Sequence, residues 1–270
     1  MNKKRKMTEN KEAQWKTGIT HASDEKTLVR GYELTELIGR LSFSQAIYLI
    51  LKGELPSETH AKMFDAIFVS CIDHGIAIPS TMNARIAASC GASFSSAVAA
   101  GLLCISEHHG GAIEQAAKVF QEGVQQGKSI QEAAKDIVDV SVEKKQRLPG
   151  YGHKMYTEDP RAKRLVELAK DLILGGKHVE LAIAIERELE HAKGKKLCLN
   201  IDGAIAAIVS DMGFDWRLGK AFFIIARVAG LCAHVHEEQT REKPYRRLPE
   251  EACVYDGPPS RSLPATHKRQ

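Results

Sequence analysis

The 270-residue sequence lacks several patterns that would place it in a particular class of protein. None of its six cysteines forms a C-x-x-C pair, and most lie in apolar helical context, which indicates free thiols in a cytoplasmic protein rather than disulfides. No apolar segment follows the basic start M-N-K-K-R-K, so a secretory signal is not expected. Arg227 interrupts the longest apolar stretch, so we expect no membrane span of about 20 residues.

The body of the chain has no net positive charge, although the net charge of the whole chain is +4. Residues 1–14 carry five Lys and Arg against two Glu, and residues 256–270 carry three against one Asp. The remaining residues, 15–255, therefore have a net charge of −1. A nucleic-acid-binding fold would hold basic charge on a structured face, so a nucleic-acid partner is not expected. We expect 1–14 to be a disordered basic tail and 256–270 to be a mobile tail.

Strand signals are few, and helical signals fill most of the chain. We find no hairpin pattern and no internal repeat, and residues 197–201 form the one strand-like stretch. Hydrophobic periodicity and cap residues predict helices over 44–52, 57–73, 97–105, 129–143, 161–174, 178–191, 201–212 and 218–239, with another beginning near Gly110. Segment 97–105 is apolar all round, which predicts a buried central helix. The predicted fold class is all-α, with roughly ten helices.

The richest stretch chemically is 147–164, with the sequence R-L-P-G-Y-G-H-K-M-Y-T-E-D-P-R-A-K-R. Proline and glycine in its first half predict a loop, and D-P-R in its second half predicts a helix start. His153 therefore lies on glycine-flanked backbone that can approach a ligand closely. Arg161 lies in a first helical turn, where an anion is favoured. G-x-G-H alone is typical of a surface loop, but D-P-R at this distance favours a site.

Three further residues have both a functional and an ordinary interpretation. His74 ends a helix in D-H-G, and Asp202 begins one in N-I-D-G, so each is also a plain helix cap. Arg227 shares a helix face with apolar neighbours, so it needs an acid as a partner, either an internal one or a substrate carboxylate.

The histidine pairs do not predict a metal site. His108 and His109 are adjacent, and His234 and His236 are spaced two apart, so on a helix the rings of each pair point in different directions. No third ligand lies near either pair, and we expect no metal.

Together these motifs resemble the citrate synthase superfamily, which includes citrate synthases, citryl-CoA lyases and the lyase module of ATP-citrate lyase. G-Y-G-H…D-P-R-A resembles the signature loop of the family, and R-G-Y followed by a short helix and G-E-L-P within 28–57 resembles its opening. The resemblance covers about residues 17 to 250. It implies a large helical domain, 15–110 with 213–255, and a smaller inserted helical domain, 111–212.

The resemblance also implies roles for individual residues. His109, in H-G-G-A, would steady the enol of acetyl-CoA, and Asp202 would move the proton on the acetyl methyl group. His153 would polarise a carbonyl or receive a hydroxyl proton. The residues implied to bind substrate carboxylates are His74, Arg161, Arg227 and Arg246. The residues implied to hold coenzyme A are Gly150, Tyr151, Gly152 and Lys154.

The carboxylate-binding role of Arg246 is implied by the pair Tyr245-Arg246, which is similar to a Y-R pair in the ATP-citrate lyase module. The resemblance implies that it is donated across a dimer interface. The choice between Arg246 and Arg247 stays open.

The implied reaction is reversible cleavage of citryl-CoA to acetyl-CoA and oxaloacetate. The short chain and the Tyr245-Arg246 pair favour citryl-CoA lyase. His109 favours the alternative, a citrate synthase, because the ATP-citrate lyase module has an aromatic residue there. A second alternative is a catalytically silent subunit of a citryl-CoA synthetase system. We expect coenzyme A thioester as substrate, no tightly bound cofactor, a cytoplasmic homodimer or higher oligomer, and a citryl-CoA synthetase as a further partner.

Overall fold

The computed structural model describes residues 15–153 and 156–263, which contain eleven α-helices and three short strands. The strands are β1 (Thr20–Ala22), β2 (Thr27–Val29) and β3 (Tyr32–Glu33). The helices are α1 (Leu34–Leu37), α2 (Phe43–Lys52), α3 (Glu58–Cys71), α4 (Pro79–Ser89), α5 (Phe94–Leu103), α6 (Ala112–Gln125), α7 (Ile130–Glu143), α8 (Pro160–Asp171), α9 (Lys177–Lys193), α10 (Ile201–Asp211) and α11 (Gly219–Arg241). Two 3₁₀ turns cover Trp216–Leu218 and Glu250–Ala252. The predicted all-α class is confirmed.

A small antiparallel sheet precedes the helices. β2 pairs with β1 in the register Thr20 to Val29, and with β3 in the register Val29 to Tyr32. This sheet is not predicted from the sequence, because strands of two or three residues are too short to display alternation. The predicted strand-like stretch 197–201 forms only an isolated bridge between Tyr151 and Leu199.

Helix termini follow the cap residues closely. Ser42 and Gln45 form a capping box at the start of α2, and Gly53 ends that helix in the left-handed region at φ 90°. α4 was not predicted, because its buried face carries small and polar side chains, including Arg85, rather than a clear apolar stripe.

The described chain divides into two compact units. The first unit contains the described residues up to Gly75 together with Ile105–Gly230. Its core is one cluster that contains residues from 47–71, in the predicted large domain, and residues from 113–212, in the predicted small domain. Packing within this unit therefore does not separate these two parts. At its centre, Phe64 contacts Phe214 and Phe222 with ring centroids 5.5 and 5.6 Å apart. The predicted domain boundaries therefore stay a prediction.

The second unit contains Ile76–Cys104 and the described residues from Leu231 onward. Its small core includes Ala84, Val98 and Leu231. Gly101 lets α5 approach α4, because a Cβ there would lie 2.8 Å from the carbonyl oxygen of Ser80. The prediction that this helix is buried all round was wrong. Small residues make its buried face, and the side chain of Leu103 is 83% exposed.

One described segment, Trp216–Arg241, is long and apolar enough to cross a membrane by length and composition. This finding differs from the expectation of no membrane span, which rested on the charged residue Arg227 within the apolar stretch. In the structure 44% of the most apolar window of this segment is buried, and a buried core helix gives the same signal.

Asp211, at the end of α10, caps a different helix, α9. Gly176 precedes α9 and has no side chain that could cap it. The carboxylate of Asp211 accepts hydrogen bonds from the backbone N–H groups of Gly176 at 2.8 Å, His178 at 3.0 Å and Val179 at 3.0 Å. It also lies 2.8 Å from Nδ1 of His178. One carboxylate thus satisfies the N–H of the residue before α9 and two first-turn donors, and it ties α9 to α10.

We expect Asp211→Ala to lower the free energy of unfolding by about 2–3 kcal/mol, because three partly buried N–H groups lose their acceptor. Urea unfolding followed by circular dichroism measures this loss. Asp139→Ala is the control, since Asp139 forms only a surface pair with Lys135 at 2.7 Å, worth less than about 1 kcal/mol. Equal stability of the two variants would show that the Asp211 cap contributes little.

Candidate active site

Six of the predicted site residues lie in the first unit and act on one another electrostatically. The charges of Arg161 and Arg227 act on both His74 and Asp202. Arg227 and His74 in turn act on His109, and His153 acts on His74. The structure therefore brings together the following predicted residues: His74, His109, His153, Arg161, Asp202 and Arg227.

Asp202 lies in the first turn of α10, which Asn200 caps. Oδ1 of Asn200 accepts hydrogen bonds from the backbone N–H groups of Asp202 and Gly203, both at 3.1 Å. A helix N-terminus by itself favours the ionised form of a carboxyl group. Instead, burial raises the pKa of Asp202 to about 6, although Arg161 lowers it, while Asp159 raises it further. The effect of desolvation on the pKa of Asp202 therefore outweighs the opposite effect of the helix N-terminus.

The loop that carries His153 is fastened to the start of α10 through its backbone. Gly150 O accepts from the N–H of Asn200 at 2.9 Å, and Gly152 O accepts from the Asn200 side-chain amide at 3.0 Å. Gly150 has φ +86°, and a Cβ there would lie 2.7 Å from Cα of Gly203. Two glycines are thus needed where the loop and the helix backbones meet.

His153 contacts Tyr156, which lies shortly after it in the chain. The Tyr156 N–H donates to Nδ1 of His153 at 3.3 Å, and the two ring centroids are 4.5 Å apart. The other ring nitrogen, Nε2, would meet an oxygen of a ligand, and an imidazole can exchange a proton with such an oxygen.

Arg161 is held by the buried side chain of Asp159. Nε and Nη2 of Arg161 donate to the two carboxylate oxygens at 3.1 and 2.9 Å. The carboxylate also accepts the backbone N–H of Ile201 at 3.0 Å. Burial opposes ionisation of Asp159, but these hydrogen bonds hold its pKa below the ordinary value. The D-P-R motif predicts only a helix start at Asp159, and the second contact of this residue, to the start of α10, is not visible in the local sequence.

Arg227 is 3% exposed, and its guanidinium contacts a backbone carbonyl and an aromatic ring. Nε and Nη2 donate to Cys71 O at 3.2 and 3.1 Å, and the guanidinium lies 4.6 Å from the centroid of the Phe223 ring. Burial lowers the pKa of Arg227. Among the described residues, Nη1 is a buried nitrogen with no hydrogen-bond acceptor. Such an atom calls for an acceptor from a ligand.

His74 and His109 are expected to be neutral at pH 7. Burial lowers the pKa of both, and nearby positive charge lowers it further, from Arg161 at His74 and from Arg227 at His109. His109 lies in a tight turn closed by hydrogen bonds with Ser106, not on a helix. Both rings are therefore suited to donating hydrogen bonds to anionic oxygens.

Five predicted residues are not members of this cluster. Gly150 and Gly152 contribute backbone to the loop described above. Arg246 lies in the second unit, where it pairs with Glu238. The Tyr151 hydroxyl donates to Ala182 O at 2.9 Å, so this hydroxyl is already engaged within the protein. Lys154 lies outside the described residues. Their predicted roles stay predictions.

No group of three His, Cys, Asp or Glu side chains that could hold a metal ion occurs in the parts of the chain that the structure describes. Buried positive charge and neutral imidazoles instead make the cluster a receptor for anions, with one carboxyl that can exchange a proton near neutral pH.

Comparison with known proteins identifies the family. The sequence model described as "Citrate synthase, C-terminal domain" matches residues 56–248. The chain belongs to the citrate synthase family. The family recognised from the motifs of the sequence is thereby confirmed.

Three solved structures illustrate this kinship. The citryl-CoA lyase of Hydrogenobacter thermophilus is 53% identical, with a TM-score of 0.88 over 93% of this chain and 98% of that one. The ATP citrate lyase of Methanothrix soehngenii, in complex with citrate and coenzyme A, is 26% identical, with a TM-score of 0.80 over 93% of this chain and 43% of that one. The citrate synthase of Thermotoga maritima is 25% identical, with a TM-score of 0.66 over 86% and 62%.

Coverage differs among the relatives. The chain spans 35% to 55% of the length of the first curated relatives that it matches, which are ATP-citrate synthases and citrate synthases.

We expect Gly203→Ala to destabilise the site, because the new Cβ would lie 2.5 Å from Gly150 O and 2.6 Å from Cδ1 of Leu199. The loop or the helix must move, at a cost of about 1–3 kcal/mol. Thermal unfolding measures the loss. Gly175→Ala is the control, because its nearest neighbour would be at 3.6 Å, and it should leave the melting temperature unchanged. A Gly203→Ala protein as stable as the control would contradict the close contact.

Proposed function

We propose that this protein is a citryl-CoA lyase, which reversibly cleaves citryl-CoA to acetyl-CoA and oxaloacetate. The observation that carries the proposal is a half-buried carboxyl group, Asp202, whose pKa desolvation raises to about 6 beside two arginines. The 53% identity to the citryl-CoA lyase of Hydrogenobacter thermophilus, over 98% of that chain, supports the same reaction.

Two arginines and a histidine would bind the carboxylates of the citryl group. Arg161 presents a guanidinium fixed by Asp159, and Arg227 has a buried Nη1 in need of an acceptor. His74 would donate a hydrogen bond from a neutral ring. Because Arg227 is almost fully buried, its attraction to a carboxylate is weakly screened by water. Arg246, from the second unit of a partner copy, would complete the set.

Cleavage breaks the bond between the hydroxyl-bearing carbon and the methylene carbon of the thioester arm. His153 would take the hydroxyl proton as the oxygen becomes the carbonyl of oxaloacetate. The electron pair of the broken bond moves into the thioester enolate, whose oxygen His109 would stabilise by a hydrogen bond. Protonated Asp202 would then give its proton to the methylene carbon, which yields acetyl-CoA. In the reverse direction ionised Asp202 removes that proton, and a pKa of about 6 makes both forms accessible.

Coenzyme A would lie along the backbone of Gly150, Tyr151 and Gly152. Beside this loop is a cavity of about 390 Å³ that His153 also lines. Arg147, Lys193 and Lys195 line the same cavity, and their positive charge suits the phosphates of coenzyme A. The thioester could thus reach the acid–base groups from a basic entrance.

Citrate synthase is the alternative function, and His109 favours it. A synthase also hydrolyses citryl-CoA and releases free coenzyme A. The third hypothesis, a silent subunit that binds citrate or coenzyme A, is disfavoured by Asp202, because pure binding gains nothing from a buried carboxyl with a raised pKa.

One pair of assays separates these functions. Purified protein is mixed with citryl-CoA and, separately, with acetyl-CoA plus oxaloacetate, while oxaloacetate and free coenzyme A are followed. The lyase produces oxaloacetate in the first mixture and no free coenzyme A in the second. Release of coenzyme A in the second mixture would instead establish a synthase, and silence in both, with ligand binding intact, would establish the binding subunit.

We expect Asp202→Asn to lower turnover by about a thousandfold or more, because the amide cannot transfer the proton. The substitution should not lower the stability of the folded protein. A carboxyl whose pKa rises from 3.8 to about 6 on folding loses stability as pH rises between these values, which at pH 7 costs on the order of 3 kcal/mol. The neutral amide avoids this cost, so the melting temperature at pH 7 should be equal or higher.

Turnover and calorimetry of Asp202→Asn test both parts. Asp139→Asn, which changes an exposed carboxylate, is the control and should match the wild type in both. Wild-type rates for Asp202→Asn would remove this residue from the mechanism.

We also propose that the protein is a homodimer. Apolar side chains of the second unit that are at least two fifths exposed support this, namely Met82, Ile86, Phe94 and Leu103. The cytoplasmic location and the citryl-CoA synthetase partner stay predictions.

A further inference from the structure

A buried carboxylate fixes the orientation of Arg246 within the second unit. Glu238, on α11, is 2% exposed. Its two oxygens accept hydrogen bonds from Nε and Nη2 of Arg246, both at 2.8 Å. The backbone before Arg246 is also held, because the N–H of Tyr245 donates to Ser89 O at 2.9 Å. Both the main chain and the guanidinium of this arginine therefore have defined positions in the absence of substrate.

A second arginine balances the charge of Glu238. Nε of Arg85, which is 4% exposed, lies 2.7 Å from Oε2 of Glu238. Burial opposes the ionisation of Glu238, but the hydrogen bond from Arg246 and the charge of Arg85 hold its pKa below the ordinary value. Glu237 and Glu242 also pair with these arginines, Glu237 with Arg85 at 3.0 Å and Glu242 with Arg246 at 3.3 Å, but of the three acids only Glu238 is buried and engages two nitrogens of Arg246.

The same geometry occurs in the first unit between Asp159 and Arg161. In both pairs the acid is buried and engages Nε and Nη2, so that Nη1 is not used by the acid. In both pairs the arginine stays partly open, with side-chain exposures of 29% for Arg161 and 38% for Arg246. A guanidinium fixed along one edge loses less conformational entropy when its other edge binds a carboxylate.

We propose that Glu238 is a positioning residue, which orients the guanidinium of Arg246 for a carboxylate of the substrate. The inference rests on the proposed function, in which Arg246 meets that carboxylate. Glu238 does not touch substrate and acts only through Arg246. The opposing interpretation is that Glu238 merely stabilises the second unit.

Steady-state cleavage of citryl-CoA by the full chain distinguishes the two interpretations. Glu238→Gln keeps the size of the side chain but loses the paired, charged hydrogen bonds. We expect it to raise KM about tenfold with little change in kcat, because a carboxylate contact serves ground state and transition state alike. Arg246→Ala should raise KM at least as much. The double variant should equal Arg246→Ala, because Glu238 has no further effect once Arg246 is removed.

Glu237→Gln is the matched control. Glu237 is the adjacent carboxylate, and it pairs with Arg85 at 3.0 Å and with Arg241, but it does not contact Arg246. Its KM should equal that of the wild type. If Glu238→Gln unfolds, as judged by circular dichroism, Glu238→Asp serves instead. It keeps the charge but retracts the carboxylate by one methylene, and the same rise in KM and the same double-variant result are expected.

Three results would overturn the inference while the wild type cleaves citryl-CoA. They are a wild-type KM in the Glu238 variant, a wild-type KM in Arg246→Ala, or effects that multiply in the double variant. Failure of the proposed function is distinct, because it shows in the wild-type protein itself, either as no oxaloacetate from citryl-CoA or as free coenzyme A from acetyl-CoA and oxaloacetate. The inference would fall with it.

Discussion

The desolvation of one carboxyl group, Asp202, is the constraint on which the rest of the site depends. A carboxylate taken out of water needs compensating positive charge, and here Arg161 and Arg227 supply only part of it. The group is left with a pKa of about 6, between the fully ionised and the fully protonated extremes. A carboxyl in this range can both remove and return a proton on carbon near neutral pH. Burial lowers the pKa of His74, and the same arginines lower it further, so this environment keeps the imidazole neutral while both forms of the carboxyl are accessible.

The local architecture maintains this arrangement through contacts that carry no chemistry themselves. The paired glycines, Gly150 and Gly203, let the His153 loop lie against the start of α10. Asp159 joins the Arg161 guanidinium to the backbone of Ile201, one residue before Asp202. The positions of an arginine, a histidine and a carboxyl are therefore set by one small group of backbone and buried-acid contacts. In the second unit Glu238 does the same for Arg246, which indicates that a buried acid behind an arginine is a repeated device in this protein.

Much of the site could be predicted from the sequence, because its residues lie in short motifs at helix starts and turns. The glycines around His153, the D-P-R turn and N-x-D-G are local patterns, and local patterns survive folding. What could not be predicted depends on contacts between distant segments. The raised pKa of Asp202 comes from burial, the Cys71 carbonyl beneath Arg227 lies 156 residues away in the chain, and Asp159 reaches Ile201 across 42 residues. Helix α5 was expected to be buried because its composition is apolar, yet Leu103 is 83% exposed, since composition does not say which face is covered.

The central claim is that Asp202 is a desolvated, half-buried carboxyl that titrates near pH 6, and carbon-13 NMR of the side-chain carboxyl groups tests it most directly. Aspartate labelled at Cγ gives one titration curve for each residue, and the signal missing from Asp202→Asn identifies the curve of Asp202. The account predicts a midpoint at about pH 6 in the free protein, well above the ordinary aspartate value of about 3.9. A midpoint at or below about 4 would contradict it, because the carboxylate would then be no better placed for proton exchange than an aspartate on the surface.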